Sequence, residues 1–92
     1  MATSKKNCKD VIIKNELGLH ARSAAQIASI VQNAKAAVWI KRGEEKVDAS
    51  SIMDILTLAC EKGTRISIIV DNPSDIDILN AVVELVDSGF GE

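Results

Sequence analysis

The spacing of apolar residues along this chain switches repeatedly between two and three-to-four, and that alternation restricts the folds open to it. CKDVIIKN (8–15) is short, β-branched and partly alternating, with Val11 and Ile13 on one face, and predicts a first strand. Gly18 breaks it. From Ala21 onward, Ala24, Ile27, Ala28 and Val31 recur at helical spacing and predict a helix to about Asn33. AAVWIKRGEEKVDA (36–49) reads as a hairpin, in which Val38 and Ile40 alternate with Trp39 and Lys41 and Arg42-Gly43-Glu44 supply the turn. SSIMDILTLACEKG (50–63) predicts a short helix with a serine to cap it, Gly63 to end it, and Ile52, Ile55, Leu56 and Ala59 along one stripe. TRISIIVD (64–71) sets Ile66, Ile68 and Val70 against Arg65, Ser67 and Ile69, a fourth strand. The last helix begins at NPSDID, where Pro73 suits a first turn, Ser74 can cap, and Asp75 and Asp77 favour the positive end of the macrodipole. Ile76, Leu79, Val82, Val83 and Val86 form its stripe, and Gly89 stops it.

The order β-α-β-β-α-β-α, mixing a hairpin with helical crossovers, predicts an α+β fold. It is a two-layer open-faced sandwich: a four-stranded antiparallel sheet with three helices on one face. Ferredoxin-like regulatory domains begin with the same order, and the additional helix at the end is the only local difference.

The 92 residues make one domain, residues 1–92 with a core at about 8–90. A chain of this size buries roughly two-thirds of its unfolded surface, enough for one modest core. Phe90 and Trp39 are the only aromatic residues, so that core is aliphatic. The same scarcity argues against a stacking platform for single-stranded nucleic acid. A net charge of −2 gives no basic footprint for DNA or RNA. Lys5, Lys6, Lys9 and Lys14 read as a solvated tail and strand face. Cys8 and Cys60 are too few for a disulfide scaffold and form no C-x-x-C pair. With one distant histidine they make a poor zinc set, so buried thiols in a reducing compartment are expected, with no metal and no cofactor. MATSKKNCKD lacks the apolar segment of a signal peptide, and no apolar run approaches the ~18 residues of a membrane span. A soluble cytoplasmic protein without a membrane or nucleic-acid partner is the expectation.

NELGLHARSAAQ (15–26) holds the only histidine. A helix start leaves backbone N–H groups without intrahelical partners, and the dipole adds partial positive charge there, so a phosphate is well held. His20 directly precedes the helix, Arg22 adds a planar, permanently charged guanidinium in its first turn, and Gly18 allows a sharp turn from the strand. Imidazole is nucleophilic and mostly neutral at pH 7, with an ordinary pKa near ~6.5. These parts describe a histidine that accepts a phosphoryl group and holds it as a phosphoramidate. The milder reading, a solvated histidine at a helix cap beside an ordinary surface arginine, stays open on local chemistry. No P-loop or acidic metal cluster is evident, so any phosphoryl group must come from one protein and leave to another.

G-L-H-A-R-S-A (18–24) resembles the G-[ILM]-H-A-R-P-A signature of the HPr family, histidine-containing phosphocarriers of the bacterial phosphoenolpyruvate-dependent phosphotransferase system. The similarity continues through S-S-I-M-D-I-L-T-L-A (50–59) and K-G-T-R-I-S-I (62–68) into the terminal helix, covering essentially 8–91. The family fold is a β-α-β-β-α-β-α sandwich. The resemblance implies that enzyme I phosphorylates His20 on Nδ1, that Arg22 stabilises the phosphoryl group, and that a histidine of an enzyme IIA component receives it. It is a substrate of both partners more than an independent enzyme, and as a transient carrier it is expected to be monomeric. Ser51 falls at the family's regulatory serine, the target of a dedicated ATP-dependent kinase; the alternative is that Ser50 or Ser51 simply caps the helix. Ile52 and Met53 correspond to an exposed apolar docking patch, although Ile52 also fits the core stripe. Ser23 replaces the family's proline, which keeps an N–H, adds a hydroxyl, and is expected to fix the corner less firmly. NELGLHAR and LVDSGFGE also resemble HPr-like proteins of the nitrogen-related branch, whose output is regulatory rather than sugar uptake. Two other classes stand beside the carrier: a regulatory module acting through Ser51 with His20 idle, and a small-ligand domain in which the histidine is incidental.

Overall fold

A computed structural model describes residues 7–92. Lys5 and Lys6 lie outside the described residues. Strands β1 (Cys8–Ile12), β2 (Val38–Arg42), β3 (Glu45–Asp48) and β4 (Arg65–Val70) form one sheet in the order β1-β4-β2-β3, with every pair antiparallel. Helices α1 (Ala21–Val31), α2 (Ile52–Thr57) and α3 (Ile76–Asp87) complete the predicted α+β sandwich.

Register explains which face of the sheet is covered. Val11 lies opposite Ile66, Ile40 opposite both Ile68 and Val47, and Val38 opposite Val70. Side chains alternate across a strand, so these rows point the same way and meet the helices. Val11, Val38, Ile40, Ile66, Ile68 and Val70 are all buried, as are Ala24, Ile27, Ala28 and Val31 of α1 and Leu79, Val82 and Val86 of α3. Gly43 adopts a positive φ of 59° in the two-residue turn that joins Arg42 to Glu45.

Three local expectations are corrected. Helix α2 ends at Thr57 rather than Gly63. Leu58 and Cys60 are both buried, and Ala59 between them takes a left-handed φ of 52°, which is incompatible with continuing the helix. The Arg42 guanidinium, arriving from β2, donates to the Leu58 carbonyl at 2.6 Å and the Ala59 carbonyl at 3.4 Å. Gly63 instead closes the turn into β4, its N–H donating to the Ile13 carbonyl at 2.7 Å. The last helix is entered through a 3-10 turn, Pro73–Asp75, whose cap is Asn72, not Ser74: Asn72 Oδ1 accepts both the Ser74 N–H and its hydroxyl at 2.9 Å. Ile76 sits at the margin of the expected stripe, 36% exposed.

Asp75 behaves differently from a dipole-stabilising surface acid. It is buried, and its carboxylate accepts the Lys35 N–H on both oxygens at 3.0 Å and the Ala36 N–H at 3.1 Å, tying α3 to the loop before β2. Removing it would take a charged acceptor from both N–H groups, and hydrogen bonds to charged groups are worth about 1.5–3 kcal/mol each. Asp75→Ala is therefore expected to destabilise the fold by about 3 kcal/mol and Asp75→Asn by less, read as a lowered denaturant midpoint at constant slope.

Candidate functional site

The stretch between β1 and α1 is pinned before it reaches the histidine. Gly18 takes φ +67° and its N–H donates to the Asn15 carbonyl at 3.1 Å, turning the chain sharply. The Leu19 N–H then donates to the Cys60 carbonyl at 2.9 Å, fixing this turn on the segment after α2. Burial pushes the Cys60 thiol above its ordinary range, so it stays protonated here.

His20 is the N-cap of α1, with extended backbone, and its ring does the capping. Nδ1 accepts the Arg22 N–H at 3.3 Å, and so lies over the donors of the first turn. Ser23 works from the other side. Its buried hydroxyl oxygen accepts the His20 N–H at 2.9 Å and lies 3.1 Å from the His20 carbonyl and 3.3 Å from that of Gly18. Where a proline would fix the corner through φ, serine fixes it through hydrogen bonds. The Arg22 side chain is exposed, and among the described residues its guanidinium makes no hydrogen bond or ion pair.

The far side of the ring meets a residue that sequence reasoning missed. Nε2 lies 2.6 Å from Glu92 Oε2, with the two side chains 27% and 18% exposed. Glu92 is delivered by the turn after α3, where Gly89, Phe90 and Gly91 take successive positive φ values of 76°, 60° and 76°. A left-handed phenylalanine is uncommon; burying its ring offsets the strain of holding it there. Asn15 Nδ2 donates to Glu92 Oε1 at 3.1 Å and to the Gly18 carbonyl at 2.9 Å, linking both ends of the site. The hydrogen bond from His20, then that from Asn15, holds the Glu92 carboxyl below the usual carboxylate range.

This arrangement fixes the ring's chemistry. A carboxylate can only accept, so Nε2 carries the proton, and Nδ1, itself an acceptor, presents its lone pair beside the start of α1. The His20 ring is partly exposed and the Arg22 side chain fully so, so both lie at the protein surface beside the start of α1.

Ser51 is the N-cap of α2, its Oγ accepting the Asp54 N–H at 3.2 Å. The approach is ordered by Asp48, whose carboxylate accepts the Ser50 N–H at 2.8 Å and hydroxyl at 2.6 Å; these bonds hold it below its ordinary pKa. Ser50 thus serves Asp48 and Ser51 caps the helix. Ile52 is 38% and Met53 73% exposed, so Ile52 is not a core residue. Helix α1 packs against α2, and Leu17, in the turn before His20, is also exposed.

The family model described as "PTS HPr component phosphorylation site" matches residues 8–88. Phosphocarrier protein HPr of Cupriavidus necator is 34% identical over 84 residues, covering 91% of this chain and 94% of that protein. Phosphocarrier protein NPr of Klebsiella oxytoca is 37% identical over 83 residues, covering 89% and 92%. Among solved structures, HPr-C-His from Thermoanaerobacter tengcongensis superposes with a TM-score of 0.86 at 32% identity, covering 92% of this chain and 96% of that one. Fold and relatives together define a phosphocarrier protein of the phosphotransferase system. The chain belongs to the HPr family.

Among the described residues no helix is long and apolar enough to cross a membrane.

Proposed function

We propose that His20 carries the phosphoryl group, taking it on Nδ1 from phospho-enzyme I and passing it to a histidine of an enzyme IIA component. The observation that carries this reading is the state of the ring. Nδ1 keeps its lone pair and caps α1, while Nε2 is held by Glu92. As Nδ1 attacks phosphorus, the donor's N–P bond breaks and its electron pair returns to the donor nitrogen. The arriving phosphoryl oxygens meet the N–H groups of the first turn and the exposed Arg22 guanidinium, which suits their geometry. Dephosphorylation by the acceptor is the same step reversed. Both partners are cytoplasmic proteins in this reading, and the carrier works as a monomer with its face open to each in turn.

Intact-mass measurement after incubation with phosphoenolpyruvate and enzyme I tests the proposal, with the nitrogen-system enzyme I in parallel. One added phosphate, lost in acid and kept in base, supports it. The enzyme that charges the protein faster assigns the sugar or the nitrogen branch. No gain with either enzyme would contradict the reading.

Ser51 is proposed as a second, regulatory phosphorylation site for a serine-directed kinase, beside the docking residues Ile52 and Met53. Phosphate is compatible with a helix N-terminus but adds about −1.5 to −2 charge to the docking face. Aspartate is itself a good N-cap, so Ser51→Asp is expected to leave stability within about 0.5 kcal/mol. It should slow charging by phospho-enzyme I several-fold, measured as the initial rate of phosphate gain.

A further inference from the structure

We infer that the main-chain N–H of Ser23 binds the phosphoryl group of this carrier: it donates to the His20 ring before charging, and to a phosphoryl oxygen once Nδ1 is bonded to phosphorus. This rests on the carrier reading of His20. The two halves of one capping box supply the argument. The His20 ring accepts the Ser23 N–H, and the Ser23 hydroxyl in return accepts the His20 N–H at 2.9 Å. Ser23 is the third residue of α1, so its N–H has no helix carbonyl to bond. The residue is 0% exposed, so water does not serve that donor either. Its acceptor is the ring, and Nδ1 is the nitrogen that faces the first turn, since Nε2 faces Glu92.

Charging removes that acceptor. The Nδ1 electron pair forms the bond to phosphorus as the donor's N–P bond breaks, and Nδ1 then has nothing left with which to accept a hydrogen bond. Two N–H groups are released, and their surroundings differ. Arg22 is exposed, so water can replace the ring on its N–H. The Ser23 N–H is shut off from water, and a buried donor without a partner is costly. A phosphoryl oxygen on Nδ1 arrives beside the same turn and satisfies it. A hydrogen bond to a charged oxygen is roughly twice as strong as a neutral one, so the exchange favours the charged carrier by about tenfold.

The Ser23 hydroxyl has a separate task. It accepts the His20 N–H and lies near the carbonyls of His20 and Gly18, so its own proton is committed to the corner. The side chain therefore holds the backbone, and the N–H meets the phosphoryl group. Proline at this position is compatible with a first helical turn but has no N–H. Serine gives this chain a donor that the family's proline withholds.

The test compares the full chain with Ser23→Ala, which keeps the N–H and loses the hydroxyl, and with Ser23→Pro, which loses both. The nitrogen-15-labelled proteins are loaded with phosphoramidate, a small chemical phosphoryl donor, and the residue 23 amide is followed. The expected result, in the native protein and in Ser23→Ala, is a downfield shift of that amide proton on charging, with coupling to phosphorus across the hydrogen bond. Native protein and each variant then compete for a limited amount of phosphoenolpyruvate with enzyme I present, and intact mass reads the phosphate on each. At equilibrium Ser23→Pro should hold about tenfold less phosphate than the native protein, and Ser23→Ala should stay closer to native than to Ser23→Pro. A residue 23 amide indifferent to charging would overturn the inference, as would equal partition between the native protein and Ser23→Pro. Should Ser23→Pro fail to fold, the amide response in the native protein and Ser23→Ala still decides. Failure of enzyme I to charge the native protein would count against the carrier reading alone, because phosphoramidate loading and the amide spectra do not depend on it.

Discussion

Replacing His20 with alanine is expected to abolish acid-labile phosphate on the protein while leaving it folded. The chain contains no second histidine, and its serines form phosphate esters that are stable in acid and labile in base, so residual label would be chemically distinct. The structural cost is small. The His20 N–H keeps its acceptor in Ser23 and the backbone at the cap is unchanged in kind; the Arg22 N–H loses its side-chain partner, and the Glu92 carboxylate loses the ring but keeps Asn15. Losing a side-chain cap costs about 1 kcal/mol. In a domain of this size that lowers the melting temperature by about 4–8 °C. A complete loss of charging beside so modest a change in melting would place the defect in chemistry rather than folding. Acid-labile label retained by His20→Ala would contradict the assignment.

The second large effect is expected at Gly18, where the penalty is steric. Gly18 has φ +67°, a conformation that already disfavours a side chain. A Cβ there would press into the Cys60 carbonyl oxygen, well inside van der Waals contact, and lie 3.0 Å from the Glu61 Cα. Both obstacles are backbone, so no side chain can swing aside. Relief requires separating the turn before α1 from the segment after α2, which stretches the Leu19 N–H bond to Cys60 and moves His20. Gly18→Ala should lose about 3 kcal/mol, enough to lower the melting temperature by more than ~10 °C. Charging should fall further than the unfolded fraction explains, because Nδ1 no longer sits over the first turn of α1. Gly43→Ala is the control: its φ is also positive, at 59°, yet nothing lies near the added Cβ. It should cost about 1–2 kcal/mol and leave charging unchanged.

Acidification acts on the same corner through Glu92. Hydrogen bonds from His20 and Asn15 lower its pKa in the folded protein. A group with a depressed folded pKa adds stability at pH above its unfolded value, and that contribution fades as pH falls through the folded one. The His20–Glu92 contact is thus intact at neutral pH and released in strongly acidic solution, on the acid side of the ordinary carboxylate range.

Much of this architecture is legible in local sequence because local periodicity and burial agree. In β4, Ile66, Ile68 and Val70 alternate strictly and all three are buried; in α1, Ala24, Ile27, Ala28 and Val31 do the same at helical spacing. The errors arise where a distant residue decides. Helix α2 stops early because Leu58 and Cys60 both turn into the core and Arg42, from β2, takes up the exposed carbonyls. Asp75 looks like a favourable helix-start charge, but its carboxylate serves the loop at 35–36. Glu92 was out of reach for the same reason: it meets a histidine 72 positions away. Its only local signal is Gly-Phe-Gly after a helix, where the chain's sole phenylalanine can anchor a turn between two flexible residues. By contrast, His20, Arg22 and Gly18 lie within five positions, and the chemistry of a helix start brings them together with little help from the rest of the fold.

The most direct measurement is the position of the phosphorus atom. The protein, labelled with nitrogen-15 in its histidine, would be charged by enzyme I and phosphoenolpyruvate and examined for nitrogen–phosphorus coupling. One-bond coupling to Nδ1 of His20, with the proton remaining on Nε2, is the predicted result. Phosphorus on Nε2, or on any residue other than His20, would contradict the account.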